Sequence, residues 1–213
     1  MNVFRLSADL SHLVAIFILI FKIRSSKSCS GISARSQILF ALVFSTRYAD
    51  LFTVFVSPYN TAMKIIFLVA TYYTVYLIFY EYRITYEKES DNLRFEFLLI
   101  PCALLSLYFT NELSVLEVLW TFSIFLESVA IMPQLFMLQN LGSADTITAH
   151  YLFFLGSYRA LYLINWIYRY YTESYFEPVA TFCGILQTIL YADFFYLYFT
   201  RVSKKSTSME LTV

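Results

Sequence analysis

Seven long apolar runs, separated by short polar segments, dominate this chain of 213 residues. Most of them approach the roughly 20 residues that a helix needs to cross the hydrocarbon core of a bilayer. Hydrophobicity within each run is continuous and not alternating, which favours helices over the strands of a membrane barrel. Charged residues make up only 14% of the chain, against roughly 25% in soluble domains. The sequence therefore predicts an all-α integral membrane protein with seven transmembrane helices. The runs cover residues 3–22, 37–57, 61–80, 95–110, 115–138, 147–168 and 178–200.

The remaining composition excludes several classes of protein. The formal net charge is zero and no basic block is present, so a nucleic-acid partner is not expected. The three cysteines are scattered without a CxxC pair, which predicts free packing thiols and neither a metal site nor a redox centre. Tyr191-Ala192-Asp193 resembles a fragment of an intramembrane hydrolase, but no GxGD, HExxH or Ser-His motif accompanies it. An enzyme or a bound cofactor is therefore not expected.

The distribution of lysine and arginine predicts the orientation of the chain in the membrane. With seven helices, ten basic residues fall after odd-numbered runs and three fall on the other side. Because basic loops stay in the cytosol, the N-terminus is predicted to be lumenal and residues 201–213 to form a cytosolic tail. The ten are Lys22, Arg24, Lys27, Arg35, Arg83, Lys88, Arg94, Arg201, Lys204 and Lys205, and the three are Arg5, Lys64 and Arg169.

An internal repeat is visible when the sequence is shifted by 115 residues against itself. Val14-Ala15-Ile16 then falls on Val129-Ala130-Ile131, and His12 falls on Glu127. After a gap of three residues, Arg47 falls on Arg159. Two three-helix repeats of the same orientation require the fourth helix to be an inverting linker, and ligands of such membrane carriers bind between the repeats. The predicted parts of the single domain 1–200 are repeat 1 at about 1–80, the linker helix at about 95–110 and repeat 2 at about 115–200.

Many ionisable residues lie inside the apolar runs, where a charge near the bilayer centre costs about 3 kcal/mol. Arg5, Asp9 and His12 are spaced four and three residues apart and share one face of the first helix. Such residues either line a functional cavity or form structural ion pairs and interfacial contacts. Both interpretations stay open for Asp9, Asn165 and Asp193. Further candidates on other helices are Arg47, Tyr48, Asp50, Glu117, Trp120, Glu127, Tyr158, Arg159, Tyr162, Trp166 and Arg169.

The candidate residues predict the chemistry of the ligand. Four arginines on a small set of helices indicate carboxylates, since the guanidinium fork binds them in a two-pronged manner. The acidic residues would hold a cation on the same ligand, so a zwitterionic, mainly acidic peptide end fits the set. With His12 neutral, the predicted pocket has a net charge of minus one. It combines Arg5, Arg47, Arg159 and Arg169 with Asp9, Asp50, Glu117, Glu127 and Asp193.

His12 is the only histidine predicted within the membrane core. Histidine titrates near neutral pH, and an added proton helps an anionic ligand to enter. If the bound state favours the protonated ring, affinity grows as the pH falls through this range. A neutral core histidine that donates one hydrogen bond is the competing interpretation, and the sequence does not separate the two.

Seven segments carry a family resemblance. They are Met1-Asn2-Val3-Phe4-Arg5-Leu6, Asp9-Leu10-Ser11-His12-Leu13, Ser45-Thr46-Arg47-Tyr48, Trp120-Thr121-Phe122-Ser123-Ile124, Glu127 to Gln134, His150 to Tyr162 and Asp193-Phe194-Phe195-Tyr196. Together they resemble the KDEL receptor family over nearly the whole chain. Pro133-Gln134 also resembles the PQ-loop motif of sugar (SWEET-like) and lysosomal amino-acid transporters, in which proline bends a helix at the substrate cavity.

The resemblance implies a receptor that cycles between the Golgi and the endoplasmic reticulum. It would bind C-terminal Lys-Asp-Glu-Leu-type signals of lumenal proteins in the mildly acidic Golgi and release them at neutral pH. The family also implies a basic tail signal for the COPI coat, here Arg201, Lys204 and Lys205, whose alternative role is that of positive-inside anchors. Besides the peptide, the coat and membrane lipid, the implied ligand is a regulating proton.

The family implies individual roles for the candidate residues. Arg47 would bind the terminal carboxylate with Tyr48 nearby, and Arg5 and Arg169 would bind the two acidic side chains. The ligand's lysine would be received by Glu117, Asp50 and Trp166. The signal-peptide site would further include Trp120 and Tyr162, and a pH-sensing lock would consist of His12, Tyr158, Glu127 and Arg159. Asp193 would take part in the conformational response, or else form an internal salt bridge.

A proton-coupled transporter of a small amino acid or sugar is the alternative function, because the repeat plan and the PQ motif occur in carriers as well. The arginine-rich mouth of the pocket disfavours a sugar. Peptide binding near about pH 5–6, the titration range of histidine, and its loss at neutral pH would favour the receptor. Uptake of a substrate into proteoliposomes would favour the transporter.

Overall fold

The structure, a computed structural model, describes residues 2–141 and 146–210. Within these ranges every regular element is helical, which confirms the all-α prediction for the described part of the chain. The helices are joined by short turns, by the 3-10 turns Ala49–Phe52 and Arg83–Thr85, and by a π-helical segment Leu77–Glu81. The α-helices are α1 (Val3–Ser26), α2 (Ala34–Arg47), α3 (Pro58–Tyr76), α4 (Glu96–Phe109), α5 (Val115–Val129), α6 (Met132–Leu141), α7 (Thr146–Glu173) and α8 (Pro178–Glu210).

Polar caps fix where four of these helices begin. In each case a side-chain oxygen of the capping residue accepts the backbone N–H three residues later, which satisfies a donor that has no partner within the helix. These caps place Arg5 in the first turn of α1 and Glu117 in the first turn of α5. Pro58 stands at the start of α3, where its missing N–H is harmless. The capping residues are Asn2, Ser33, Ser57 and Ser114.

The fifth apolar run, predicted as one helix over residues 115–138, forms two consecutive helices. The first, α5, ends at Val129, and α6 begins at Met132. Pro133 lacks a backbone N–H and its ring clashes with the carbonyl four residues earlier, so a regular helix cannot continue through it. The two helices together, Val115–Leu141, remain long and apolar enough for one membrane crossing. The proline therefore bends this segment between α5 and α6.

Four described segments are long and apolar enough to cross a membrane, which supports an integral membrane protein. The apolar helix α4 is shorter than these. The run predicted over residues 37–57 is helical only to Arg47, because the chain turns into the 3-10 turn Ala49–Phe52. The seven-helix count therefore stays a prediction. The four segments are Val3–Ser26, Pro58–Glu81, Val115–Leu141 and Pro178–Tyr196.

The helices pack in a paired pattern. Helix α1 packs along α7, and the corresponding contact is that of α5 with α2. The contact of α2 with α3 corresponds to that of α7 with α8. In the same way α1 touches α3, and α5 touches α8, while α4 packs on α5. Helices α1, α2, α5 and α7 thus surround the middle of the molecule, where the candidate residues lie. The three cysteines, Cys29, Cys102 and Cys183, are buried and free.

Candidate functional site

Two adjoining cavities, of about 280 and 290 Å³, lie among α1, α2, α3, α5 and α7. We call the one that reaches Arg159, Trp166 and Arg169 the main cavity. The side cavity is the one that reaches Asp50 and Lys64. Their volumes are near the lower end of the range of roughly 300–1,000 Å³ known for small-ligand sites. Residues that line both are Arg5, Asp9, Arg47, Tyr48, Phe67, Trp120 and Tyr162.

Most of the residues singled out in the sequence come together here. Twelve of the fourteen predicted binding and pH-sensing residues line one or both cavities. The four predicted arginines come from α1, α2 and α7 and all line the main cavity. The twelve are Arg5, His12, Arg47, Tyr48, Asp50, Trp120, Glu127, Tyr158, Arg159, Tyr162, Trp166 and Arg169.

Glu127 ties two of the arginines together. Its Oε2 atom lies 2.6 Å from Nη1 of Arg47 and 2.8 Å from Nη2 of Arg159. The Nε of Arg47 also donates to Oγ of Ser123, at 3.1 Å. The side chains of Glu127 and Arg159 are almost fully buried, whereas that of Arg47 is 20% exposed. The centre of the site is therefore a carboxylate oxygen held between two guanidinium groups, and Arg47 is its more accessible side.

Tyr158 connects Glu127 to His12 and to α8. Its hydroxyl donates to Oε1 of Glu127 at 2.8 Å and accepts a hydrogen bond from Nε2 of Gln187 at 3.2 Å. Its ring stacks on the imidazole of His12, with centroids 4.0 Å apart and an interplanar angle of 11°. Phe44 packs against His12 as well, at 5.6 Å. His12 thus lies in an aromatic pocket directly beside the Glu127 cluster. Gln187, a polar residue within the last apolar run, was not among the residues predicted from the sequence.

Asp9 and Asn165 connect helices around the cavity. Both a functional and a structural role had been left open for these two residues. Asp9 accepts hydrogen bonds from the hydroxyls of Tyr162 and Tyr59, the latter at 3.1 Å. The Nδ2 of Asn2 donates to Oδ1 of Asn165 at 2.6 Å. These bonds join α1 to α3 and α7, so both residues help to shape the site.

Trp166 forms part of the cavity wall beside Arg159. The guanidinium carbon of Arg159 lies 6.0 Å from the centre of a Trp166 ring, at the outer limit of cation–π contact. Trp166 packs closely on α8 because residue 184 is glycine. A Cβ atom on Gly184 would lie 2.3 Å from Cζ3 of Trp166, which no real contact allows. The position of this indole therefore depends on a missing methyl group on the neighbouring helix.

Arg169 lies at the outer end of the main cavity. Its Nε pairs with Glu173 at 2.6 Å, and its guanidinium lies over the ring of Tyr175 at 4.0 Å. Tyr175 lies in the turn between α7 and α8, and its hydroxyl donates to Glu177 at 2.9 Å. That hydrogen bond raises the pKa of the Tyr175 hydroxyl. Arg169 is therefore held by the carboxylate of Glu173 and the ring of Tyr175.

Asp50 pairs with a lysine that the sequence analysis counted only for orientation. The Nζ of Lys64 lies 2.8 Å from each carboxylate oxygen of Asp50. Lys64 is only 7% exposed. Lysine is almost never buried without a charged partner, and here Asp50 is that partner. A basic residue inside the third apolar run was the signal that pointed to it. The pair joins the 3-10 turn after α2 to α3.

The lining residues change the charge expected for the pocket. The two cavities are lined by five cationic and four anionic side chains, which gives a net charge of plus one with His12 neutral. The prediction of minus one was wrong because it omitted Lys64 and Glu177 and included Glu117 and Asp193. A cationic cavity attracts an anionic ligand. The cations are Arg5, Arg47, Lys64, Arg159 and Arg169, and the anions are Asp9, Asp50, Glu127 and Glu177.

The remaining predicted residues lie elsewhere or outside the described part. Glu117 is half-buried in the first turn of α5, and Asp193 is exposed on α8, so neither belongs to the two linings. The side chains of the predicted coat-binding residues are outside the described residues. Within the described ranges, no group of three His, Cys, Asp or Glu residues is arranged to hold a metal ion. Those coat-binding residues are Arg201, Lys204 and Lys205.

At the opposite end of α2 from Arg47, Gln134 joins α6 to the segment before α2. Its side-chain oxygen accepts the N–H of Ser33 at 2.8 Å, and its Nε2 donates to the carbonyl of Gly31 at 2.8 Å. The backbone N–H of Gln134 donates to Oγ of Ser36 at 2.9 Å. Gln134 is fully buried, so this glutamine of the PQ motif closes the end of the molecule away from the cavities.

Asp91 completes the same closed end. It accepts hydrogen bonds from Oγ of Ser33 at 2.8 Å, from the N–H of Arg35 at 3.1 Å and from the hydroxyl of Tyr86 at 2.7 Å. Tyr86 lies in the loop between α3 and α4. Burial, and next the hydrogen bond to Asp91, raise the pKa of the Tyr86 hydroxyl well above its ordinary value. This loop is therefore fastened to the start of α2 by a buried carboxylate.

Apolar helices around an arginine-lined cavity are typical of a helical membrane protein with a polar interior. Residues 28–169 match the family described as ER lumen protein retaining receptor. The chain belongs to this family, which confirms the resemblance to KDEL receptors.

Named relatives match along nearly their whole lengths. ER lumen protein-retaining receptor erd-2.2 of Caenorhabditis elegans is 64% identical over 213 residues, which is 100% of both chains. ER lumen protein-retaining receptor 3 of Xenopus tropicalis is 60% identical over 214 residues, again 100% of both chains. ER lumen protein-retaining receptor 2 of Homo sapiens is 60% identical over 204 residues, which is 96% of each chain. These names describe the three relatives as receptors that retain proteins of the endoplasmic-reticulum lumen.

Proposed function

We propose that the protein binds C-terminal retrieval signals of the Lys-Asp-Glu-Leu type and returns the proteins that carry them to the endoplasmic reticulum. The observation that carries the proposal is the convergence of four arginines on one cavity, two of them on a single carboxylate oxygen. Such a peptide end has three carboxylates and one side-chain ammonium group. A cavity of net charge plus one, with both signs on its wall, suits that ligand. The proposal involves no catalytic step.

The terminal carboxylate of the signal binds to Arg47 in place of Glu127. Arg47 already holds a carboxylate at 2.6 Å and is the more exposed of the two central arginines. Exchange of one carboxylate for another keeps the guanidinium paired, which avoids the cost of a bare buried charge. Glu127 has a second partner, Arg159, at 2.8 Å, so it stays paired when Arg47 changes partner. Tyr48, in the same lining, lies beside the entering group.

The rest of the signal extends along the cavity wall. Arg5 and Arg169 bind the two acidic side chains as charge-assisted hydrogen bonds. Trp166 and Asp50 receive the ligand's lysine, and Glu117 contributes from the first turn of α5. Trp120 and Tyr162 line both cavities and pack beside the peptide.

A proton on His12 regulates binding. The imidazole stacks on Tyr158, which donates to Glu127, so the ring lies one contact from the exchanged carboxylate. A protonated imidazole and a bound carboxylate stabilise each other, so affinity rises as the pH falls through the titration range of histidine. The mildly acidic Golgi is then the site of capture and the neutral endoplasmic reticulum the site of release.

Seven membrane spans in two parallel repeats are the architecture that we propose. The contacts support it, because exchanging α1, α2 and α3 for α5, α7 and α8 turns each observed pairing among these six helices into another observed pairing. Helix α4 is then the inverting linker, and α5 with α6 forms one bent span. The positive-inside rule places the N-terminus in the lumen and the tail in the cytosol, where Arg201, Lys204 and Lys205 would meet the COPI coat.

Binding of a fluorescent peptide ending in Lys-Asp-Glu-Leu to the purified receptor tests this function. The parent protein is expected to bind at about pH 5.5 and not at about pH 7.4. The same peptide with a C-terminal amide should not bind, because Arg47 then loses its carboxylate. Arg47→Ala should abolish binding, and His12→Ala should remove the acid dependence or abolish binding as well.

Two outcomes contradict the proposal. The first is equal binding of the acid and the amide by the parent and both variants. The second is uptake of a small substrate into proteoliposomes that contain the protein, which would establish a transporter instead. Arg83→Ala is a suitable control, because Arg83 is exposed in the loop after the π-helical segment.

A further inference from the structure

The side cavity contains an ion pair of which the proposed function uses only one member, Asp50. Lys64 projects from α3, and its Nζ bonds to both carboxylate oxygens of Asp50 at 2.8 Å. The same nitrogen lies 5.9 Å from the ring centre of Tyr48, so Asp50 and the ring share one ammonium group. Both charged residues line the side cavity. The carboxylate expected to receive a ligand cation is thus already neutralised from within the protein.

The two members of the pair differ in accessibility. The side chain of Lys64 is 9% exposed and that of Asp50 is 29% exposed. A carboxylate has about four acceptor positions, and Lys64 fills one on each oxygen. The outer positions of Asp50 remain open to the cavity. A ligand ammonium can therefore bind Asp50, but next to a second positive charge that weakens the attraction.

The backbone that carries Asp50 is held by hydrogen bonds near Lys64. Asp50 lies in the 3-10 turn that follows Arg47 and Tyr48, and its carbonyl accepts the N–H groups of Thr53 and Val54 at 3.0 and 2.9 Å. The lysine comes from the second turn of α3 and is itself buried. The pair is therefore a fixed part of the cavity wall.

We infer that Lys64 sets the selectivity of the receptor for a basic residue at the fourth position from the ligand's C-terminus, by competing with that residue for Asp50. The inference rests on the proposed function and adds a specificity-determining residue to it. Without Lys64, Asp50 would be an unpaired acid and the ligand cation its natural partner. With Lys64 present, the receptor tolerates signals whose fourth residue has little or no positive charge.

Two matched peptides measure this selectivity. One ends in Lys-Asp-Glu-Leu and the other in Gln-Asp-Glu-Leu. The measured ratio is the Kd of the glutamine peptide divided by that of the lysine peptide, at about pH 5.5. It reports only the preference for lysine at the fourth position. Lys64→Gln is expected to raise the preference for the lysine peptide about tenfold, as expected when a close charge pair is gained at an interface. Asp50→Asn combined with Lys64→Gln should bring the ratio close to one, because both charges of the pair are then removed.

The controls separate selectivity from folding. Lys88→Gln alters an exposed lysine in the loop between α3 and α4 and should leave the ratio unchanged. If Lys64 had a purely structural role, Lys64→Gln would weaken the binding of both peptides by the same factor. An unchanged ratio of Kd values in this variant therefore overturns the inference. If that variant does not fold, Lys64→Arg decides. A guanidinium holds Asp50 with two parallel bonds, so the ratio must fall below that of the parent, and any other result overturns the inference.

Failure of the proposed function looks different. A parent protein that binds neither peptide refutes the receptor itself. A parent that binds both, with a ratio that Lys64→Gln does not change, refutes only the role of Lys64.

Discussion

Arg47 and Arg159, which belong to different helices, bond to the same oxygen atom of Glu127, at 2.6 and 2.8 Å. The internal repeat pairs these two arginines with each other, and it pairs Glu127 with His12. All four residues line the main cavity, so the positions that the predicted repeat pairs lie in one cluster. The Glu127 oxygen is where the two halves of the molecule meet electrostatically.

Glu127→Gln is expected to destabilise the ligand-free protein. The amide cannot neutralise either guanidinium, and removing one member of a buried ion pair typically costs about 3–5 kcal/mol. Thermal unfolding of the purified protein measures the effect. Glu112→Gln, which alters an exposed acid in the turn before α5, is the control and should leave Tm unchanged. Equal Tm values for the two variants would show that the cluster contributes nothing to stability.

The pH dependence of peptide affinity has a predicted sign and a predicted limit. If one proton on His12 accompanies each bound peptide, Kd rises with pH by at most about tenfold per pH unit through the titration range of histidine. Titrations between about pH 5 and 8 measure the slope. His12→Gln should flatten it, because glutamine keeps a hydrogen-bonding group and loses the titration. A slope that survives in this variant assigns the sensing group to another residue.

Gly184→Ala should weaken peptide binding without touching the peptide. The new methyl group would lie 2.3 Å from Cζ3 of Trp166, so the indole must leave its place in the cavity wall. Since one aromatic cation contact is worth about 0.5–2 kcal/mol, we expect roughly a two- to thirtyfold rise in Kd.

Gly156→Ala is the matched control for this change. Its Cβ atom would have its nearest neighbours at 3.4 Å, an ordinary packing distance, although it also faces α8. Gly156→Ala should therefore bind like the parent. Equal affinities of the two alanine variants would mean that Trp166 does not contribute to the peptide site.

Gln134→Leu should lower stability at the end of the molecule away from the cavities. The change leaves the N–H of Ser33 and the carbonyl of Gly31 without their side-chain partner, and each buried unpaired group costs about 1–3 kcal/mol. Gln139→Leu, on an exposed position of the same helix, is the comparison. Chemical denaturation of both variants checks the prediction, which is wrong if their midpoints coincide.

Alkaline pH should act on the loop between α3 and α4 through Tyr86. Its pKa is raised, so its contribution to stability is complete below the ordinary tyrosine value of about 10 and is lost as the pH rises through the raised value. Tyr86→Phe should therefore be less stable than the parent at neutral pH, and the difference should shrink above about pH 10. Tm values at both pH values test this, with Tyr80→Phe, an exposed tyrosine, as the control.

Burial cost explains which parts of the site were predictable from the sequence. Charges inside apolar runs are expensive in lipid, so Arg5, Arg47 and Arg159 had to find a common polar space, and they line one cavity. The same rule applied to Lys64, but its position near the start of a run favoured an interfacial side chain over a buried one. Sequence spacing does not determine which charged side chains form ion pairs, because those pairs depend on distances between different helices.

Helix ends were predicted less well than helix positions, for local reasons. Pro133 divides the fifth run, and the resulting two helices bury Gln134 where it can bond to the start of α2. The second run ends as a helix at Arg47 because a 3-10 turn follows, and that turn places Asp50 opposite α3. Hydrophobicity continues through both places, so the apolar pattern alone did not reveal either break.

The carboxylate of Glu127 gives Arg47 an ion-pair partner from within the protein. Under the proposed function, Glu127 can pair with Arg47 again when the peptide carboxylate leaves, and this competition favours release of the peptide. Without a bound peptide, both arginines therefore keep a carboxylate partner inside the protein.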